Sequence, residues 1–345
     1  MIFSELLKNS GTTDSWEDYI PNPLSNTVET QNTTTAQQAS TCWLNQFSAL
    51  KVSGPDAEKF LQGQLTCNMN DLNTEIVLYG ACCNAKGRTV ANFNISFDGE
   101  NYWLVLPTES ALVLEKHLQK YKVFFKATLD SCEQSHLIFG QWVDGEIGKV
   151  SRENDKQYLQ ISEQRRLVIC ENIDKKEDSE SSNSELSNLI PTLNWRLADI
   201  DDGLYYITAE QTEIWIPQHL NLHQIGGISF NKGCYTGQEI IARLQYLGKA
   251  KKALYHYRAI HDETALKRSI DSQALFNADG KNLGQIIFSR SHIPSEQNKQ
   301  TLQLDILAVL NTDSPDEILY LTESKEIPLT LQNLSYTQEG TVKTV

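Results

Sequence analysis

The octapeptide KGCYTGQE, residues 232–239, places a cysteine two residues after a lysine and just ahead of a segment with helical spacing. The free backbone amides and the dipole at a helix N-terminus favour an anion, and Lys232 adds a positive charge. Because both effects lower the pKa of a thiol, the pattern is compatible with Cys234 as a reactive or ligand-contacting thiol. It is equally compatible with a strand–helix turn in which the cysteine is simply a small apolar residue. Spacing alone leaves both interpretations open.

The turn and the helix behind it carry their own signals. Thr236 and Glu239 have the S/T-x-x-E spacing of a capping box, which predicts Thr236 as the N-cap. Glu239 and Arg243 stand four residues apart in the favourable acid-before-base order. Gly233 and Gly237 allow backbone angles that a side chain would resist. A tight loop followed by a helix is therefore expected here.

Phosphate binding has weaker support around this loop. The Walker pattern GxxxxGK[ST] is absent from the stretch. The sequence GKAKK, residues 248–252, forms a small basic cluster just after the helix. Such a run is usually a solvated surface, and contact with phosphate or nucleic acid is the alternative interpretation.

Two histidines lie upstream of the cysteine, at 219 and 223 in HLNLH. A cysteine-dependent hydrolase or redox protein would need a histidine partner for Cys234, yet no acidic motif surrounds this pair. On a helix the pair could hold a metal, but the sequence offers no further identifiable ligands, so no metal site is predicted. We expect both histidines to line or flank a pocket, or to lie at the surface.

Composition limits the class of protein. The chain has 345 residues, 40% hydrophobic, which suggests two or three domains with real cores. Its formal net charge of −14 does not favour direct contact with tRNA or other nucleic acid. Seven cysteines without a CxxC argue against a disulfide framework and a zinc knuckle. No apolar run is long enough to span a membrane and the start does not read as a signal peptide, so we expect a cytoplasmic protein. We also expect a monomer.

The elements that must position these residues follow from hydrophobic periodicity. Residues 49–54 and 102–107 read as strands, and 55–65 and 110–124 read as helices. TVANFNISF, residues 89–97, alternates, with apolar side chains on one face and Asn or Ser on the other. This β-α-β-β-α order suits a sheet with helices on one side.

Four segments are predicted along the chain. Residues 1–40 form a flexible leader, because 22–40 is polar and nearly free of large apolar groups. Residues 41–130 form a first α+β domain, and 131–250 a second that carries the octapeptide and a charged, serine-rich insertion at 174–188. Residues 251–345 alternate short apolar runs with turns, which predicts an antiparallel β-barrel or sandwich.

The octapeptide and its flanks resemble the YgfZ family, folate-binding, tRNA-modifying proteins related to the glycine-cleavage aminomethyltransferase. The flanks that agree are WRLADIDDGLYYIT, IWIPQHLNLHQIGGISF and IARLQYLGKAKKALY, and the N-terminal stretches VSGPDAEKFLQGQLTCNMNDL and CNAKGRTVANFNI also fit. The resemblance covers roughly residues 43–310. It implies two α+β domains of ferredoxin-like character around a central pocket, with a C-terminal β-barrel.

The same resemblance implies a folate ligand, tetrahydrofolate or a derivative, and iron-sulfur enzymes, including those that thiolate tRNA, as partners. A pterin is flat and polar-edged, so it needs an aromatic face and hydrogen-bond partners. Two folate-associated aromatic positions of the family match Trp195 and Phe47, where Phe47 replaces a tryptophan and lacks the indole N–H. We also assign Tyr235, Gln238 and Arg243 to cofactor binding, and Cys234 with Lys232 to the chemistry.

Two functions remain in competition. The first is an accessory protein that binds folate and maintains iron-sulfur enzymes. The second is a folate-dependent one-carbon transferase, which would rely on a carboxylate after the first-domain turn. That position falls on Ala91 or Asn92, and neither side chain can ionise. The sequence therefore favours the accessory function over a classical enzyme.

Overall fold

The structure is a computed structural model, and it describes residues 40–172, 189–190, 192–248, 250–262, 273–292, 301–311, 318–322 and 325–336. The predicted leader, apart from Ser40, and the predicted insertion at 174–188 lie outside these residues. Within the described ranges, no helix has both the length and the apolar character that crossing a membrane requires.

The chain divides into two compact units that interleave along the sequence. Unit 1 consists of Met1–Leu61, Met69–Leu78 and Phe93–Trp195, and unit 2 of Gln62–Asn68, Tyr79–Asn92 and Arg196–Val345. The predicted boundaries at 40, 130 and 250 stay a prediction.

Sixteen strands occur in the described residues. In chain order they are β1 Ser40–Trp43, β2 Phe47–Ser53, β3 Val77–Cys83, β4 Thr89–Phe97, β5 Tyr102–Pro107, β6 Thr128–Ser131, β7 His136–Trp142, β8 Val150–Glu153, β9 Lys156–Ser162, β10 Arg165–Glu171, β11 Lys252–Asp262, β12 Ala274–Phe276, β13 Asn282–His292, β14 Thr301–Asn311, β15 Leu319–Tyr320 and β16 Pro328–Gln332. Four α-helices accompany them: α1 Ala57–Gln62, α2 Thr108–Lys122, α3 Thr192–Asp202 and α4 Gln238–Tyr246.

Two five-stranded sheets are formed by the first ten strands. One has the order β3-β4-β5-β2-β6, and α2 packs on its strands β2, β5 and β6 through Ala111, Leu114 and Leu118. The other has the order β1-β7-β10-β9-β8, and its four strand pairs are antiparallel. Strand β1, at the start of the described chain, thus pairs with β7 about a hundred residues later. Strands β3 and β4 are each shared between the units.

The last six strands close a barrel in unit 2, with the order β11-β14-β13-β12-β15-β16. Its interior is filled by aliphatic side chains such as Leu275, Ile306 and Leu319. The predicted α+β fold class with a C-terminal antiparallel barrel is confirmed.

A buried charged cluster joins three strands of the barrel. The Asp305 carboxylate on β14 is buried and accepts hydrogen bonds from His256 at 2.8 Å, Arg258 at 2.7 Å and Gln303 at 2.8 Å. His292 on β13 lies 3.8 Å from the same carboxylate. Burial raises the pKa of Asp305, but the hydrogen bonds from His256, Gln303 and Arg258 outweigh it and hold the pKa below its usual range.

Candidate functional site

The octapeptide loop is held by a threonine far upstream in the chain. Thr66 donates its hydroxyl to the Gly227 carbonyl at 2.6 Å and accepts from the Ala81 amide at 2.8 Å. The Thr66 carbonyl accepts from the Ser229 amide at 2.9 Å. One buried side chain therefore fixes the strand-like approach to the loop, within unit 2.

Lys232 is the buried cation of the loop, with only 8% of its surface exposed. Its ammonium donates to the carbonyl oxygens of Leu65 and Cys67, both at 2.7 Å, and lies 5.1 Å from the Tyr235 ring centroid. A buried charge is tolerated only with such partners, so these contacts tie the loop to residues 65–67. The predicted role of Lys232 in keeping the Cys234 thiol anionic stays a prediction.

Cys234 itself is exposed. Of the seven cysteines, five are buried and Cys170 is half-buried, so Cys234 is the most exposed cysteine of the described chain. Burial raises the pKa of the Cys82 thiol to about 12 and that of Cys83 well above its usual range. Those two thiols are inert packing groups, and the accessible position is the one that the octapeptide singles out.

The helix after the loop begins one residue later than the capping pattern predicts. Gly237, with φ of 86°, is the N-cap of α4, so the prediction of Thr236 at that position is wrong. A Cβ at Gly237 would lie 2.5 Å from the Asn84 carbonyl oxygen, and its positive φ disfavours any side chain. Thr236 instead donates its hydroxyl to the Gln64 amide oxygen at 3.2 Å.

The remaining predicted contacts of the loop differ in availability. The Gln238 amide oxygen accepts from the Tyr235 amide at 3.3 Å, so it stabilises the turn. The Tyr235 ring is buried, and burial raises the pKa of its hydroxyl well above the usual range. The Arg243 side chain is exposed. Arg243 is thus the member of this set that is free of the core of unit 2.

Asn92, one of the two positions where a transferase carboxylate is expected, is buried in a network of amide hydrogen bonds, and the other position, Ala91, is buried too. Its Nδ2 donates to the Tyr79 hydroxyl at 2.6 Å and to the Tyr205 carbonyl at 2.5 Å. Its Oδ1 accepts from the Ile207 amide at 2.9 Å. A carboxylate there would set an oxygen against the Tyr205 carbonyl, so the site fits an amide and not an ionised acid.

Trp195, in unit 1, is fully buried. The Arg165 guanidinium lies 4.6 Å from its ring centroid and donates to its carbonyl oxygen at 3.2 Å. Trp142 meets the ring edge-on at 5.2 Å, and the Gly140 backbone packs against the benzo ring. The indole is therefore covered by protein groups.

Phe47, the second predicted aromatic contact, opens β2 and is also buried. It pairs with Pro107 across the sheet of unit 1. The two predicted aromatic residues thus belong to unit 1, whereas the octapeptide residues belong to unit 2.

The predicted histidine pair is not helical over its whole length. His219 lies in a 3₁₀ turn, Pro217–Leu220, which ends at Asn221 in the left-handed conformation with φ of 56°. No group of three or more His, Cys, Asp or Glu side chains suited to a metal ion occurs in the described part of the chain.

Sequence reasoning missed two residues that shape the loop. Thr66 lies in the quoted N-terminal stretch, but nothing in its neighbourhood signals a bond to Gly227. Gln64, the acceptor for Thr236, gives no local signal either. Both contacts join residues more than 150 positions apart, so only the fold reveals them.

Curated relatives cover nearly the whole chain, although no family model matches it. The tRNA-modifying protein YgfZ of Colwellia psychrerythraea is 32% identical over 311 residues, which are 85% of this chain and 92% of that protein. The tRNA-modifying protein YgfZ of Edwardsiella ictaluri is 28% identical over 313 residues, 86% of this chain and 92% of that protein.

A solved structure shares the fold. The glycine cleavage system aminomethyltransferase T of Bartonella henselae matches with a TM-score of 0.59 over 86% of each chain, at 13% identity. This likeness shows an aminomethyltransferase-like fold and nothing finer. With the identity to the Colwellia protein over nearly its full length, it leads to one conclusion: the chain belongs to the YgfZ family.

Proposed function

We propose that this protein is a folate-binding accessory protein that supports iron-sulfur enzymes and tRNA modification, including thiolation, with Cys234 as its functional thiol. The observation that carries the proposal is the exposed sulfur on a loop whose backbone is fixed on both sides. Its relatives bear the name tRNA-modifying protein, which supports a function in tRNA modification.

The loop is built to present a thiol rather than to bury one. Two residues before Cys234, the Lys232 side chain anchors the loop to residues 65–67. Three residues after Cys234, Gly237 turns the chain into α4. A fixed backbone with an exposed side chain lowers the entropy lost when a partner engages that side chain. In the proposed function, Cys234 meets a sulfur species, a cluster intermediate or a partner protein.

Complementation tests the thiol. Cells lacking the gene receive the wild type, Cys234→Ser or the matched control Cys170→Ser, and thiolated tRNA nucleosides and iron-sulfur enzyme activities are measured. We expect Cys234→Ser to fold but to restore neither, and Cys170→Ser to restore both. Normal thiolation with Cys234→Ser would overturn the assignment of the thiol.

Folate is the proposed ligand, and the aminomethyltransferase-like fold supports it. Trp195 and Phe47 stay the proposed aromatic contacts, with Tyr235, Gln238 and Arg243 as further proposed contacts. Because the Trp195 ring is covered by Arg165 and Gly140, a pterin would reach its face only if this cover moved. Of the proposed folate contacts, Trp195 is therefore the one that requires the protein to rearrange.

Calorimetric titration with tetrahydrofolate tests these contacts. We expect Trp195→Ala to weaken binding, Phe47→Ala to weaken it less, and the neighbouring control Trp142→Phe to leave it nearly unchanged. Circular dichroism establishes that each variant is folded, and Trp195→Phe replaces Trp195→Ala if the latter is not. Unchanged affinity in a folded Trp195 variant would remove this residue from the site.

The alternative, a tetrahydrofolate-dependent one-carbon transferase, has the same fold in its favour. The Asn92 network opposes it, because the amide that replaces the carboxylate is fully engaged. The gene deletion separates the two functions. Loss of thiolated nucleosides and of iron-sulfur activities supports the accessory function, whereas a defect confined to one-carbon metabolism supports the transferase.

A further inference from the structure

A cavity of about 270 Å³ lies in unit 2, and its lining residues come from both sides of the octapeptide in the chain. It is lined by Gln218 and His223 from the histidine segment, by Leu244 and Gln245 from the end of α4, and by Lys252 at the start of β11. Pockets for drug-sized ligands run from roughly 300 to 1,000 Å³, so this one suits a single small ring system.

Gln218 gives the cavity an acceptor that the protein does not use. The side chain is 2% exposed, and its Nε2 donates to the Ile241 carbonyl at 2.7 Å, which fixes the orientation of the amide. The buried Oε1 has no hydrogen-bond partner within the described ranges. Because buried polar atoms are nearly always paired, this oxygen points to a ligand with an N–H or O–H donor.

A second buried atom points the same way. The His223 Nδ1 has no hydrogen-bond partner among the residues that the structure describes. Burial lowers the pKa of His223, so its imidazole is neutral at physiological pH. The cavity therefore offers neutral hydrogen-bonding groups in its wall rather than a charged pair.

The cavity has a basic residue in its lining, although the chain as a whole is acidic. This residue, Lys252, and its chain neighbour Lys251 are both exposed. Burial, and then the positive charges of Lys252 and Arg88, lower the pKa of His219, the chain neighbour of Gln218, to about 4. A local positive field of this kind favours an anionic group at the rim.

The end of α4 adds exposed apolar and aromatic surface beside the same cavity. Tyr246 is 65% exposed and Leu247 is 84% exposed, directly after the lining residues Leu244 and Gln245. The Tyr246 and Phe230 rings are T-shaped to one another, with centroids 6.1 Å apart, and Tyr246 keeps most of its surface exposed. Aromatic faces next to cations are the combination that single-stranded nucleic acids use.

We propose that this cavity binds one nucleotide of a single-stranded RNA segment. A ring N–H or exocyclic amine of the base donates to the Gln218 Oε1, Lys251 and Lys252 contact the flanking phosphates, and Tyr246 stacks on the next base. The proposal rests on the proposed function in tRNA modification. It adds a direct contact with RNA, which the net charge of the chain alone disfavours.

Fluorescence anisotropy with a short fluorescein-labelled single-stranded RNA of mixed sequence tests the site. Each phosphate contact on a single strand contributes about 0.7 to the slope of log K against log salt. The double variant Lys251→Gln/Lys252→Gln should therefore reduce the slope by about 1.4, whereas the exposed control Lys281→Gln leaves it unchanged. We expect Tyr246→Ala to weaken binding about tenfold and the control Ile260→Ala to leave it unaltered.

Several results would overturn the proposal. These are the absence of RNA binding, a salt slope that the two lysines do not alter, and adenosine monophosphate competing as strongly as the RNA. The last result would assign the cavity to a free nucleotide. The binding assay is independent of the complementation assay. Lost thiolation in the Cys234→Ser strain together with no RNA binding would overturn this inference alone. Normal thiolation in that strain together with RNA binding would overturn the assignment of the thiol and leave this inference standing.

Discussion

The contact between Gly140 and Trp195 decides whether the indole is part of the core, and Gly140→Ala perturbs it directly. An alanine Cβ would lie 2.7 Å from the Trp195 Cδ2 and closer still to Cε3 and Cζ3, distances that real Cβ atoms do not show. The ring cannot easily withdraw, because Arg165 lies over it and Trp142 abuts its edge. The substitution must therefore move a packed side chain or the strand itself.

The expected loss of stability follows from two opposing effects. Overpacking of a well-filled core costs about 1 to 3 kcal/mol, and three overlapped ring atoms place this case near the upper end. Replacing glycine by alanine also restricts the unfolded chain, which stabilises the native state by about 0.4 to 1 kcal/mol. We expect the free energy of unfolding to fall by about 2 kcal/mol.

Urea unfolding followed by far-ultraviolet circular dichroism measures this change, with an unchanged slope as the sign that only stability has altered. Gly233→Ala is the matched control, because a Cβ at Gly233 meets nothing within 4 Å. In a double-mutant cycle, Trp195→Phe should relieve part of the Gly140→Ala penalty.

A Gly140→Ala protein with wild-type stability would refute the reasoning. It would mean that the indole does not rest on the β7 backbone. Trp195 would then be free to act as the aromatic wall that the family resemblance implies.

Three further predictions concern unit 2. Lys232→Met should lower the free energy of unfolding in urea by about 1 to 3 kcal/mol, because it removes the ammonium that donates to two carbonyls. Lys251→Met should leave the stability unchanged, and equal stabilities of the two variants would show that the Lys232 ammonium is not buried there. His219 is buried in its neutral form, so the stability of the fold decreases as the pH drops from about 6.5 to about 4, where only the unfolded state binds the proton. His219→Gln should flatten the plot of melting temperature against pH in this range, and a plot of wild-type shape would contradict the prediction. Asp305→Asn should cost about 2 kcal/mol at neutral pH, since it removes the buried carboxylate that accepts hydrogen bonds from His256 and Arg258. The pKa of Asp305 is lowered in the folded state, so its contribution is complete above about pH 4 and lost below; a difference from Asp305→Asn that does not shrink in acid would refute this.

The sequence indicates local elements well where periodicity is strong. The helix predicted at 110–124 occurs as Thr108–Lys122, and the strand predicted at 89–97 occurs as Thr89–Phe97. The short apolar runs after residue 253 become the strands of a closed barrel. In each case the pattern extends over a whole element, so an error at one end does not change its type.

Alternation in β4 shows which residues share a face but not what covers each face. The polar face, Asn92, Asn94 and Ser96, is as buried as the apolar one. Ser96 reaches the Gln157 side chain within unit 1 at 3.4 Å, and Asn92 bonds to residues 205 and 207 within unit 2. The partners lie many tens of residues away, and a single strand carries no signal for them.

The capping pattern failed for a similar reason. Thr-x-x-Glu is a local signal, and it predicts a cap whenever the side chains are free to turn inward. Here the Thr236 amide and hydroxyl are engaged by the segment at 63–64, with the amide bonding to the Gly63 carbonyl at 3.1 Å. Tertiary contacts therefore take the threonine, and the glycine that follows it serves as the N-cap.

Lys232 shows most clearly why chemistry cannot be assigned from chain proximity. Only Gly233 separates it from Cys234, so the sequence pairs the ammonium with the sulfur. Its long side chain reaches instead to the carbonyls of Leu65 and Cys67, where two charge-assisted hydrogen bonds of 2.7 Å offset the loss of hydration. An ammonium held in this way fixes the loop that carries the thiol, and its predicted effect on the charge of the thiol stays a prediction. Lys232→Arg should therefore disturb the loop nearly as much as Lys232→Met, because a planar guanidinium does not fit a site shaped for an ammonium between two carbonyls.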